Sequence, residues 1–136
     1  MYLSQTKQVD NIIACVLDSP YNNLCSTITE VGKSKTGLPE FIINRLIAYL
    51  RTSVKSKYNF DIKAMELKTK VQRIQIPTMY ITSENDNFVK SSDVIELYKN
   101  TLTKNKVLEY IEQEHNSPRE EGIIKTGMNF MSKYLK

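Results

Sequence analysis

The chain has one histidine, His115, in the segment His115-Asn116-Ser117-Pro118-Arg119. Acids stand in two earlier segments rich in turn formers, Asp18-Ser19-Pro20 and Glu84-Asn85-Asp86. Imidazole is the side chain whose ordinary titration lies between about pH 5 and 8, which makes His115 the first candidate for moving a proton. A carboxylate bonded to one ring nitrogen fixes the tautomer and leaves the other nitrogen as a base. That arrangement is the proton-handling half of a nucleophilic triad. Asp86 and His115 are far apart in the chain, so only the fold can bring them together; Asp18 is the alternative acid. By residue type alone these positions also read as turn and loop residues satisfied by their neighbours.

The elements that must position them alternate in type. Asn11 to Leu17 is a short continuous apolar run closed by Asp18-Ser19-Pro20, as suits a parallel strand buried on both faces. A helix is expected from about Leu24 to Val31. Thr36-Gly37-Leu38-Pro39 is a turn signal, and Pro39 opens a helix Glu40 to Arg51 with Ile43, Leu46, Ile47 and Leu50 at helical spacing. Ala64 to Val71 reads as a short helix. Ile76 to Thr82 reads as a second strand, with Pro77 at its start where a missing donor is tolerated. Ser91 or Ser92 is expected to cap a helix Asp93 to Leu102. Lys106 to Ile111 reads as a third strand and Glu120 to Tyr134 as a last helix; Met1 to Gln8 reads as the tail of an earlier one. Strands alternating with helices imply an α/β fold with a parallel sheet, and the three candidate segments then follow its strands, where functional groups gather.

Composition excludes several classes. The 136 residues suit one domain, and 40% hydrophobic with 25% charged residues is ordinary for a soluble globular chain. No apolar stretch approaches the ~20 residues of a membrane span, and Met1 to Asp10 are too polar for a signal peptide. The net charge is +4. The basic excess between Arg51 and Arg73 has only Tyr58 and Phe60 interleaved, so it reads as solvated surface rather than a nucleic-acid groove. The two cysteines, Cys15 and Cys25, are too few for a disulfide scaffold and fit a reducing, cytoplasmic setting. Cys15 reads as a buried apolar residue, and the two thiols with His115 make no zinc site; no metal or cofactor is expected. The lack of a Gly-rich phosphate loop speaks against a flavodoxin-like binding domain.

The segments IPTMYITSENDNFV and YIEQEHNSPRE resemble the C-terminal part of serine hydrolases of the α/β-hydrolase superfamily, in particular the branch labelled serine aminopeptidase-like or prolyl-peptidase-like. NIIACVLDSPYNNL resembles the strand and loop that follow the nucleophile helix there. The resemblance runs from about Asn11 to Leu135. It implies a single partial α/β-hydrolase domain over residues 1–136, supplying the last three strands of an eight-strand family sheet, with residues 21–60 as cap or lid helices. It implies Asp86 as triad acid, His115 as general base, Asp18 as the alternative acid and a small-molecule or peptide substrate. Arg119 would orient the loop by pairing with Glu112 or Glu114.

One part of the family pattern is missing. The nucleophile should precede acid and base on a G-x-S-x-G elbow, and this sequence has no such pentapeptide. Ser83 and Ser117 adjoin the candidate residues but lack an elbow. The expectation is therefore a C-terminal portion of a hydrolase, with the elbow ahead of Met1 and no family activity by itself. An alternative is a non-catalytic module that pairs through the open edge of the Asn11 to Leu17 strand, with a separately encoded N-terminal half or with itself.

Overall fold

A computed structural model of the chain describes residues 12–135. Its elements are strand β1 (Cys15–Asp18), helices α1 (Leu24–Thr36) and α2 (Glu40–Tyr58), strand β2 (Thr78–Ser83), helix α3 (Ser91–Asn100), strand β3 (Lys106–Ile111) and helix α4 (Glu121–Ser132). The three strands form one parallel sheet in the order β1-β2-β3. Cys15 lies opposite Thr78, and Ser83 opposite Ile111. The fold is α/β, as the alternation of elements implies. The expected helix at Met1 to Gln8 lies outside the described residues.

β2 carries the core because it is covered on both faces. Tyr80 points into a cluster with Leu67, Val71, Val89, Val94 and Leu97, which the segment before β2, the loop after it and α3 supply. Met79 and Ile81 point the other way, onto Phe130 of α4. Alternation of side chains along a strand produces these two layers. The Tyr80 hydroxyl is fully buried and meets Thr101 Oγ1 at 2.6 Å, while Thr101 donates on to the Leu97 carbonyl at 2.9 Å. A buried hydroxyl without such partners would be costly.

Several boundaries differ from expectation for local reasons. β1 ends one residue later, because the Ser19 N–H still donates to the Ile81 carbonyl at 3.0 Å. α1 runs on to Thr36 and stops where Gly37 takes a left-handed φ of 66°. α2 runs on to Tyr58, where Asn59 does the same at φ 50°. Residues 64–71 hold no α-helix; two 3-10 turns, Ile62–Ala64 and Val71–Arg73, flank the segment instead. Lys90 occupies the N-cap of α3 and no side chain caps it, so neither Ser91 nor Ser92 has the expected capping role.

The α1–α2 hairpin leaves the carboxyl end of β1 and packs chiefly on itself and on the 62–64 turn. Gly32 marks the close crossing, where an added Cβ would come within 3.3 Å of Ile43. Ile43 and Ile47 are buried there, whereas Leu46 and Leu50 are 53% and 47% exposed. The apolar spacing of α2 thus overstates its buried face. We expect Leu97→Ala to lower unfolding stability by about 2–5 kcal/mol, since it opens a cavity in the core. Leu46→Ala should change it by no more than about 0.5 kcal/mol, as for an exposed site. Urea unfolding of the two variants checks the contrast.

Candidate active site

All three candidate segments meet at the carboxyl end of the sheet. After β2, Ser83 is buried and its Oγ accepts the Asn85 N–H at 3.1 Å, which starts a tight turn. That turn aims Asp86 inward. Asp86 Oδ1 accepts the backbone N–H groups of Phe88 and Val89, each at 2.8 Å. Its other oxygen, Oδ2, lies 2.8 Å from His115 Nδ1. The Asp86 side chain is 1% exposed and that of His115 is 29% exposed. Burial pushes the Asp86 carboxyl up, but the Val89 and Phe88 amides and the His115 ring outweigh it and hold the group below the usual carboxylate range. An ionised carboxylate only accepts, so Nδ1 carries the ring proton that meets Asp86.

The histidine loop is held at several points. Asn85 Nδ2 donates to the Glu112 carbonyl at 2.7 Å, joining the β2 loop to the β3 loop. The Phe88 ring lies against the imidazole, with centroids 5.2 Å apart and planes tilted by 36°. Arg119 forms a two-pronged pair with Asp18, Nε to Oδ2 at 2.8 Å and Nη2 to Oδ1 at 3.1 Å. The same guanidinium donates to the carbonyls of Glu114 at 2.9 Å and His115 at 3.3 Å. Arg119 therefore does not pair with the carboxylate of Glu112 or Glu114. Planar forks favour bidentate carboxylates, and Asp18 offers one across the sheet end. The alternative acid, Asp18, thus faces Arg119, and Asp86 is the acid in contact with the ring.

Ser19, between Asp18 and the buried Pro20, was not singled out by residue type. It is buried and has a left-handed φ of 45°, which costs a residue with a Cβ about 1–2 kcal/mol. A Ser-Pro sequence gives no sign of that conformation. Ser83 is engaged in its turn, and the Ser117 carbonyl lies 3.5 Å from Arg119 Nη1. Burial pushes the Cys15 thiol up, which leaves it unreactive. Among the described residues no three His, Cys, Asp or Glu side chains converge on a point.

The α1–α2 hairpin reaches the same end of the sheet. Lys35 lies 5.7 Å from the centre of the Phe88 ring, and Glu30 pairs with Lys90 at 2.7 Å. Both contacts fall on the stretch that follows Asp86.

No family model matches the sequence, and no curated protein does. Solved structures do match in fold. Two crystal forms of the esterase Pf2001 from Pyrococcus furiosus superpose with TM-scores of 0.66 and 0.68 at 20% and 21% identity, over 99% of this chain and 48% of theirs. Acetyl xylan esterase 1 from Thermoanaerobacterium sp. gives 0.62 at 14% identity, over 92% of this chain and 39% of its own. The chain thus spans about half the length of the esterases it resembles, and the likeness is one of fold.

The depressed titration of Asp86 has a defined sign. A carboxyl whose folded pKa lies below its unfolded value adds stability above that unfolded value, about 4, and loses it as pH falls through the folded one. We expect Asp86→Asn to lower stability at pH 7 by about 1–3 kcal/mol, the range for stranding a buried hydrogen-bond partner. The gap from the parent should shrink on acidification below about pH 4. Denaturant unfolding across pH 2–7 measures both.

Proposed function

We propose that this chain is the C-terminal half of a serine hydrolase of the aminopeptidase-like branch, carrying acid and base for cleavage of an ester, thioester or peptide bond. The 2.8 Å contact between His115 Nδ1 and the buried Asp86 carboxylate carries this reading. Asp86 holds the ring in the tautomer whose Nε2 is unprotonated. Nε2 then takes the proton from a serine hydroxyl as it attacks the carbonyl carbon, and returns it to the leaving group. Asp86 stays ionised throughout and stabilises the imidazolium. Arg119 orients the histidine loop through its carbonyls. The α1–α2 hairpin, within residues 21–60, acts as a cap over the substrate, since its α1 end touches the Asp86 loop. The serine and its oxyanion donors come from residues beyond this sequence, which has no G-x-S-x-G. Among the described residues no helix is long and apolar enough to cross a membrane, and two unpaired thiols fit a cytoplasmic location.

A second reading has its own observation. Among the described residues β1 pairs with β2 alone, and its other edge is open. α4, which packs on β1, also exposes Ile124, Met128 and Met131 at the spacing of a helix seam. This unit would bind a strand-bearing partner, either an N-terminal half that completes the sheet or a second copy.

The purified 136-residue chain should leave a fluorophosphonate probe unattached at every serine and hydrolyse an activated ester no faster than free imidazole. A labelled serine would overturn the view that the nucleophile lies elsewhere. When an N-terminal half with the elbow is supplied, activity should appear, and His115→Ala should then lower kcat/KM by about 10⁴-fold or more. Activity that survives His115→Ala in that complex would remove the proposed base.

A further inference from the structure

Arg119 can hold the histidine loop only if something holds Arg119. Its guanidinium faces two parts of the fold at once. On one side are backbone carbonyls of the loop after β3: Nη1 donates to Glu114 at 2.9 Å and Nη2 to His115 at 3.3 Å. These residues belong to a turn that the Ser117 N–H closes on the Glu114 carbonyl at 3.1 Å, with His115 inside it. On the other side is Asp18, 101 positions earlier, which takes Nε on Oδ2 at 2.8 Å and Nη2 on Oδ1 at 3.1 Å. The Arg119 side chain is 17% exposed and that of Asp18 38%.

The two sides differ in how they are held. Asp18 is the last residue of β1 and lies opposite Ile81 in the ladder. The next N–H, that of Ser19, donates to the Ile81 carbonyl at 3.0 Å. The Ser19 hydroxyl donates to Asp18 Oδ1 at 3.2 Å and ties the carboxylate a second time. Residues 112–120, by contrast, lie in neither strand nor helix, so turns and side chains must hold them. An ion pair this accessible adds little stability by itself. Its value lies in the fork, which fixes direction as well as distance. His115 is thus gripped twice, at its ring by Asp86 and at its backbone by Arg119.

We propose that Asp18 is a positioning residue for the base: through the fork of Arg119 it fixes the backbone of His115 so that Nδ1 meets Asp86. The proposal rests on the reading of Asp86 and His115 as acid and base, and it gives Asp18 a place in that site without making it an acid. It also puts the anchor of the base on β1, which among the described residues pairs on one side only.

His115 is the only histidine, so histidine-selective ¹⁵N labelling of the full chain reports one ring. At about pH 9, above the imidazole range, a neutral ring shows the ratio of its Nδ1–H and Nε2–H forms in its two nitrogen shifts. The parent should hold mainly the Nδ1–H form. Asp18→Asn, which turns one acceptor into a donor, and Arg119→Lys should each lower the ratio about threefold to tenfold, the span commanded by one hydrogen bond. Arg119→Lys keeps the charge and loses the fork, so a ratio equal to the parent's would overturn the proposal in favour of charge alone. The double variant should fall no further than the lower single one; fully additive losses would mean that the two residues act apart, and would also overturn it. Leu97→Ala, in the core, is the control: it should lower Tm and leave the ratio as it is. A ratio that tracks Tm through all the variants would replace positioning with general loosening. If Asp86→Asn lowers the ratio and neither Asp18→Asn nor Arg119→Lys does, the Asp18 proposal fails while the acid–base pair stands. If Asp86→Asn leaves the ratio unchanged, the pair itself fails.

Discussion

A carboxylate shut away from water must be surrounded by donors or give up its charge. Asp86 meets that constraint with two backbone amides on one oxygen and an imidazole on the other. Each donor makes a demand on the fold. The amides require the tight turn that Ser83 and Asn85 start, directly after a strand whose residues are all buried. The imidazole requires the loop after β3 to lean across the sheet end. Register does the rest: Ser83 pairs with Ile111, so the β2 and β3 loops leave the sheet side by side. The site is therefore a consequence of how two adjacent parallel strands end, and β2 contributes both the core and the acid.

That logic was partly legible in the sequence. Apolar runs closed by turn formers located all three strands, and their alternation with helices implied a parallel sheet. The pairing of Asp86 with His115 follows from topology once those strands are neighbours. Less legible were the features fixed by tertiary contact. Arg119 has Glu112 and Glu114 close by in sequence, yet its planar fork meets Asp18 at the end of the far edge strand, β1. The left-handed turn at Ser19 has no glycine or asparagine to announce it. Helix ends were misplaced where a single residue decides them, as at Gly37 and Asn59, and 64–71 kept apolar residues without forming an α-helix.

The exposed apolar surface tells a related story. Leu46 and Leu50 on α2, and Ile124, Met128 and Met131 on α4, obey helical periodicity as well as the buried positions do. Periodicity reports that a face is apolar, not what covers it. Along α4 and the turn after it, the inward set, Ile123, Gly127, Phe130 and Tyr134, runs one residue ahead of the outward set, and Gly127 faces Val16 with room for a Cβ at 3.9 Å. A second apolar stripe is a surface that a partner could cover. Among the described residues only the inner stripe is covered, by the sheet.

The Asp86–His115 contact and the Asp18–Arg119 pair are complete within these three strands and their loops. Asp86, His115, Asp18 and Arg119 all lie on the last strands or the loops after them, and their mutual contacts need nothing from the other side of β1. An attacking hydroxyl makes different demands. It needs a strained elbow and an oxyanion hole, which in an α/β-hydrolase precede the acid and base along the chain. Under the proposed reading the two halves of the chemistry would be separable at one strand edge, and β1, which among the described residues pairs on one side only and is braced by α4 on a face, is where they would be joined.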